Sequence, residues 1–450
     1  MSDQSSGLPR LPARSMGLKL LMVCALALVM AIPALFVFAL LMDRTHRAEQ
    51  VTHEVSQLMG GPQTFLGPVI AVPYETPPSA AGQPPVRGVY IVSPVRGQAS
   101  VSAASEVRQR SLFRVPVFRA DLDFKADFDL TGTPANAPDG AVLDWSRAEV
   151  LVGVSDPRGA QADILVSVAG KSLLATPATT IAEQAAGDSP QRFFAVKAPE
   201  TVTPGARFPV EARLRFSGAQ RLAVLPFGKT TTLQMKSDWA DPSFDGAFLP
   251  VSRQIGKTGF TAVWSVPFIA RGAPAEGGQD VLTRLQAGAL GVSFVDPANP
   301  YQSVSRSLKY ALLFVGLVFL AYFLFETMTR KRVHPAQYVL IGLAQIIFYL
   351  LLLSVAEQIG FDWAFLAAAG ATVTLISTYA GWVFESRKQG GIAFVAFTLL
   401  YGLIYILMRL EDFALLVGAV ASFAAITAVM YFTRKLDWYG VTGPGPREPA

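Results

Sequence analysis

LLMVCALALVMAIPALFVFALLM, residues 20–42, runs for 23 positions without a charged side chain. Crossing about 30 Å of hydrocarbon takes about 20 helical residues, so this stretch has a stable home in a bilayer. It is too long for the 7–15-residue apolar core of a cleaved signal, and no small-x-small site closes it before Met42-Asp43-Arg44. It therefore reads as an uncleaved anchor, with Pro33 tolerated as a kink. Five further apolar stretches crowd into the last third of the 450-residue chain, at 310–328, 335–356, 363–384, 390–408 and 413–433. The first of these has its uncharged part at Tyr310–Phe325, with Lys309 and Glu326 as flanking groups that reach the interfaces. Six transmembrane helices are expected, one before and five after a long polar segment.

Charge sets the orientation. The tail 1–19 carries Arg10, Arg14 and Lys19. The loop after the second helix carries Arg330, Lys331 and Arg332, and the loop after the fourth carries Arg387 and Lys388. The tail 434–450 carries Arg434, Lys435 and Arg447. The short loops on the other side hold Glu357 and Asp362, then Arg409, Glu411 and Asp412. Lys plus Arg thus number eleven against one. Positive residues stay on the cytoplasmic side, so both termini are expected there and residues 43–306 outside.

Composition removes several chemistries from the external segment. Cys24, the one cysteine of the sequence, lies in the first membrane helix. The three histidines are His46, His53 and His334, none of them in the body of the segment. Ser-His-Asp, Cys-His and histidine-based zinc sites are therefore unavailable to it. The formal charge of +5 comes from topology-setting loop residues. No basic–aromatic cluster marks a nucleic-acid surface. No Gly-rich phosphate loop, HExxH or GxSxG occurs.

In residues 43–59, Ala48, Val51, Val55, Leu58 and Met59 recur in steps of three and four, so the first helix should continue outward until Gly60-Gly61-Pro62. His46 and His53 share one face of it, with solvation a plainer reading than metal binding. Then the period becomes two. Leu122, Phe124, Ala126, Phe128 and Leu130 alternate with Asp121, Asp123, Lys125, Asp127 and Asp129. Val210–Phe216, Leu233–Trp239 and Phe260–Val266 alternate likewise. This predicts strands with one face on a core, mainly antiparallel, in one large sandwich or two lobes. Thr131–Gly140 and Ala270–Gly278 read as loops. The four aspartates project from one straight strand, which splays them, so a solvated face is expected in place of a calcium site.

Polar residues inside lipid are costly and informative. Gln345 lies near the middle of the third helix, and Thr372, Thr374, Ser377 and Thr378 mark the fourth. They are expected to make helix–helix contacts. Glu326 and Glu357 lie at helix ends within reach of water. Tyr310, Tyr338, Tyr349, Trp363, Trp382, Tyr401, Trp438 and Tyr439 are expected mostly in interfacial belts.

Several motifs are recognisable together. They are Gly61-Pro62-Gln63 with Leu66-Gly67-Pro68-Val69-Ile70-Ala71-Val72-Pro73, and Lys125-Ala126-Asp127-Phe128-Asp129. Trp239, Pro242-Ser243-Phe244, Gly246 and Phe248-Leu249-Pro250 form another. The most specific is Phe325-Glu326-Thr327, His334-Pro335, Gln337-Tyr338 and Phe348–Leu353; Thr433-Arg434 with Asp437-Trp438-Tyr439 closes the set. From about Gly60 to Tyr439 the chain resembles the CreD family of inner-membrane proteins. The resemblance implies a multi-pass inner-membrane protein of Gram-negative bacteria, with a periplasmic domain at 43–306 and a five-helix bundle at 307–433. It also implies a part in envelope integrity and an association with a two-component regulatory system. It carries over no catalytic residue, cofactor or metal. Trp239, Phe244, Glu326, His334, Pro335 and Gln345 are left as candidate functional or packing positions.

Three functions fit these readings. One is a non-enzymatic envelope protein, held in inner-membrane lipid, whose β domain binds a periplasmic partner or envelope component and no nucleic acid. Another is a transporter of a small envelope-active solute with a path past Gln345. The last is a carboxylate-based envelope hydrolase using a pair of Asp or Glu residues.

Overall fold

Phe113–Asp129 is a 17-residue strand in which Val115 and Val117 are buried and, from Phe118 on, burial alternates residue by residue. The period-two pattern is therefore real along the quoted stretch, and it is the centre of the β-rich unit. The computed structural model describes residues 16–77, 85–110, 112–178, 192–295, 300–329, 331, 333–409 and 414–434. Arg10, Arg14, Arg330, Arg332, Glu411, Asp412, Lys435, Asp437, Trp438, Tyr439 and Arg447 lie outside the described residues.

The chain divides into two compact units, 48–297 and the combination of 1–47 with 298–450. The first unit is two sheets. One runs Ser252–Gly256, Gly259–Val266, Thr230–Ser237, Arg96–Arg110, Phe113–Asp129, Arg207–Ala219, Leu165–Val168, Lys171–Leu174. The other runs Pro242–Gly246, Leu290–Phe294, Arg221–Val224, Gln63–Thr76, Glu149–Val154, Arg192–Lys197, Thr176–Pro177, with Val86–Val92 also on Gln63–Thr76. Their inner faces share one apolar core. Aromatic pairs join them: Phe65 with Phe216 at 5.3 Å, Phe118 with Phe294 at 5.1 Å. Packing two such faces removes both from water, which is the main drive for the sandwich.

Most pairings are antiparallel, as the alternation suggests. Two are parallel: Gln63–Phe65 with Leu222–Val224, and Arg96–Ala103 with Thr230–Ser237. Parallel pairs need long crossovers, which no local pattern announces.

The outer face of Phe113–Asp129 is matched by its neighbours. Its register on Arg207–Ala219 sets Asp129, Asp123 and Asp121 opposite Arg207, Arg213 and Arg215. Asp127 pairs with Arg96 at 3.1 Å, and Asp121 with Arg215 at 2.6 Å. The four aspartates thus belong to cross-strand ion pairs. The hydroxyl and N–H of Thr131, then Arg207, hold the Asp129 carboxyl below the usual carboxylate range.

The loop at Ala270–Gly278 is pinned by Arg271, whose buried Nη2 donates to Ser93 Oγ at 2.6 Å and to Pro274 O at 3.2 Å. Burial pulls its guanidinium down to about 10. Beyond this loop comes the short helix Asp280–Ala287.

Nine helices are described in all. They are α1 (Met16–Val29), α2 (Ala31–Leu58), α3 (Asp280–Ala287), α4 (Pro300–Lys309), α5 (Ala311–Thr329), α6 (Pro335–Ile359), α7 (Phe361–Val383), α8 (Arg387–Arg409) and α9 (Ala414–Thr433). α1 and α2 form one near-continuous 43-residue helix, so the first span does run on into residues 43–58. It is interrupted at Met30, four residues after Leu26 and three before Pro33. Pro33 has no N–H for the carbonyl of Val29. Among the described residues five helices are long and apolar enough to cross a membrane: α1–α2, α5, α6, α7 and α8. α9 adds 20 residues without a charge. α4 falls with the apolar helices, packed on α6, so the compact β-rich unit ends at 297, before the boundary at 306 expected from the sequence. Its amphipathic sequence hides this: Tyr301, Val304 and Leu308 bury one stripe while Gln302 stays exposed.

Candidate functional site

Glu326 lies three residues from the end of α5 and is 4% exposed. The sequence reading put it at the water interface; the structure buries it. Lys19 of α1 pairs with its Oε1. The N–H of Val333 donates to the same oxygen at 3.0 Å, and Tyr338 Oη donates to Oε2 at 3.1 Å. Lys19 Nζ also donates to Val333 O at 3.1 Å. A carboxylate taken out of water needs such partners, and here the start of α1, the end of α5 and the start of α6 supply them. Lys19 was visible in the sequence as a topology charge only. Its partner is 307 residues away, beyond any local signal.

His334 and Pro335 complete this corner as helix-start chemistry. His334 Nδ1 accepts from the N–H of Ala336 at 3.2 Å, and Gln337 Oε1 accepts from the N–H of His334 at 2.9 Å. This is a capping box, with Pro335 at the first helical position where its missing N–H costs nothing. The motif His334-Pro335…Gln337-Tyr338 therefore encodes a helix start and a clamp on Glu326.

Gln345 is on α6 two turns after Tyr338 and is 3% exposed. Among the described residues its Nε2 has no hydrogen-bond partner, and neither has Ser377 Oγ on α7. Thr372 donates to Ala368 O of its own helix at 2.8 Å. Gln345 Nε2, Ser377 Oγ and the Thr372 hydroxyl thus make no bond between helices among the described residues. Close approach comes from small residues: a Cβ at Gly342 would stand 2.6 Å from Met30 Sδ and 2.9 Å from Phe319. Trp363 and Trp382 are exposed as belt residues should be. Tyr338, Tyr349 and Tyr401 are not; they are buried, in contact with Phe319 (5.6 Å), Phe348 (4.9 Å) and Phe348 (5.0 Å) respectively. Tyrosine on an apolar helix reads the same in sequence whether it faces lipid or a neighbouring ring.

Trp239 and Phe244 lock the ends of the two sheets. Trp239 Nε1 donates to Asp241 O and Val295 O, both at 3.1 Å, and its ring meets Phe294 at 6.0 Å. Phe244 meets Phe260 at 5.6 Å and Trp264 at 5.8 Å. Arg253 reaches over the outer side of Phe244, 5.9 Å from its centroid. The strand Ser252–Gly256 rides on this cluster as a sheet edge, and all five residues are exposed. Leu249, Val251 and Ile255 are 68%, 74% and 52% exposed. Sequence reasoning missed this edge; the Phe248-Leu249-Pro250-Val251 run was its signal.

The family model described as "Inner membrane protein CreD" matches residues 15–439. The chain belongs to the CreD family. Inner membrane protein CreD of Escherichia coli (strain K12) is 29% identical over 425 residues, covering 93% of this chain and 92% of that protein. A solved structure of a putative nutrient binding protein from Legionella pneumophila aligns over 54% of this chain and 77% of its own, at 12% identity. Its TM-score of 0.24 is too low to support any argument. Membership in the CreD family, with several membrane-length helices, makes this a multi-pass inner-membrane protein.

Proposed function

We propose that the protein is a non-enzymatic contributor to envelope integrity that docks a periplasmic partner on its β domain, with both termini in the cytoplasm. The observation that carries this reading is the Ser252–Gly256 edge. Sheet edges in soluble domains are blunted by charge, proline or short length. Here Leu249, Val251 and Ile255 are left exposed along it, and the one charged side chain of the strand, Arg253, leans on Phe244. An extended segment of a partner can add to such an edge through main-chain hydrogen bonds. The orientation rests on the eleven-to-one distribution of Lys and Arg.

Photo-reactive residues at Val251 and Ile255 in living cells are expected to give a discrete adduct, and one at Val142, exposed on the other sheet, is not. No adduct at either edge position, in cells whose deletion strain is sensitised to envelope-active agents, would count against the docking edge.

The transporter reading keeps one observation, the unpartnered buried Nε2 of Gln345. Saturable uptake by reconstituted vesicles, abolished by Gln345→Leu, would favour it. The hydrolase reading loses its obvious carboxylates, because Asp121, Asp123, Asp127 and Asp129 each face an arginine.

A further inference from the structure

A groove of about 550 Å³ runs between α7 and α8. Leu366, Val373, Phe394 and Tyr401 contribute apolar walls, and Trp363 stands at one end, 67% exposed. Gly370 and Gly402 lie in it, and a Cβ at either would meet nothing within 4 Å. Among the described residues no neighbouring helix fills the two glycines; they leave an open furrow. Its volume is in the range of sites that hold a small apolar ligand.

The Trp363 end of the furrow is charged. Asp362 Oδ1 accepts from Tyr405 Oη at 3.1 Å, and Arg409 pairs with Asp362 Oδ2. The Arg409 guanidinium also lies 5.7 Å from the Tyr405 ring centroid. Both charged side chains stay about half exposed, at 52% and 56%, so neither is spent on the protein interior. Arg409 is also the exception in the charge pattern, the single Lys or Arg of the short loops on its side. The insertion rule disfavours a cation there, which implies a local use for it.

An apolar furrow ending in a cation and an anion side by side has the complement of one kind of molecule. A zwitterionic phospholipid presents an acyl chain, then a phosphate and an ammonium. We propose that the α7–α8 groove holds an acyl chain of a zwitterionic membrane phospholipid, with its phosphate on Arg409 and its ammonium on Asp362. Trp363 then sits at the headgroup level, where its ring is favoured. The arginine fork holds the phosphate that all such lipids share, and Asp362, which meets the ammonium, gives the site its selectivity. The site is independent of the docking edge.

The test uses the full chain in mild detergent, delipidated and then offered phosphatidylethanolamine or phosphatidylglycerol with identical chains. Native mass spectrometry should show one retained phosphatidylethanolamine, with about tenfold preference over the anionic lipid, the worth of one charge-assisted contact. Asp362→Asn should abolish the preference, Arg409→Gln should weaken retention of both lipids, and Gly402→Leu should abolish retention. Gly370→Leu repeats the second result at a separate position. With brominated acyl chains, the lipid should quench tryptophan fluorescence in the wild type and much less in Trp363→Phe. Equal retention by the wild type and both leucine variants, or no headgroup preference, would overturn the proposal. So would a wild-type dimer free of lipid that Gly402→Leu converts to monomer, since the occupant would then be a second copy.

Discussion

Phe227→Ala is expected to destabilise the β-rich unit by about 3–5 kcal/mol, the range for removing a large buried aromatic ring. The ring is fully buried and fills a slot made by backbone. A Cβ at Gly67, on one sheet, or at Gly97, on the other, would come within 2.7 Å of it. Phe124 closes the slot edge-on at 5.6 Å. Because two main chains line the cavity left by truncation, it cannot collapse cheaply. The reverse substitution tests the same geometry. Gly97→Ala overpacks the slot and should cost about 1–3 kcal/mol. Phe227→Leu should cost less in the Gly97→Ala background than alone, since the smaller side chain makes room for the methyl. Hydrogen exchange of strands Gln63–Thr76 and Phe113–Asp129 in the full-length protein reads these losses. Unchanged protection in Phe227→Ala would show that the slot relaxes freely.

Lys19→Met is expected to cost about 3 kcal/mol, near the lower end for breaking a buried pair because Lys19 keeps 22% of its side chain exposed. The cost comes from Glu326, left with a buried charge and two neutral donors. Glu326→Gln alone should cost less, since its carbonyl can still accept from Val333 or Tyr338. The double variant should recover most of the loss, and melting of the detergent-solubilised protein measures all three. A double variant as unstable as Lys19→Met would place the loss in packing of the lysine stem, not in charge.

The apolar runs and the period-two strands were legible because each is a local property: 23 uncharged positions or five alternating pairs need no partner to be seen. The outer-face aspartates were legible as a face but not as ion pairs, because the register that sets Asp121 against Arg215 joins residues 94 apart. Glu326 shows the same limit more sharply. Its helix-end position reads as solvated, and only the fold brings Lys19 to it. Trp239, Phe244, His334 and Pro335 were found by motif, and the structure gives each a positional duty: sheet-end packing for the first two, a helix start for the others. Gln345 was singled out for its cost in lipid, and its buried amide nitrogen still lacks a partner. The Ser252–Gly256 edge had only the Phe248-Leu249-Pro250-Val251 run as a signal and the α7–α8 groove had none, since exposure of an apolar side chain depends on what does not pack over it.

The hub strand Gln63–Thr76 carries a consequence for biogenesis. It is among the first parts of the β-rich unit to be synthesised, yet besides Val86–Val92 it pairs with residues 149–154 and 222–224, and Leu290–Phe294 then extends the same sheet. Ribosomes deliver the chain N-terminus first, so only its Ile70–Thr76 half can pair early, with Val86–Val92, and the other pairings wait until residues 149–154 and 222–224 have emerged. Distant pairing of this kind makes maturation slow and the nascent chain prone to aggregation. A truncation just before residue 290 would thus leave Arg221–Val224 and Pro242–Gly246 without the strand that joins them.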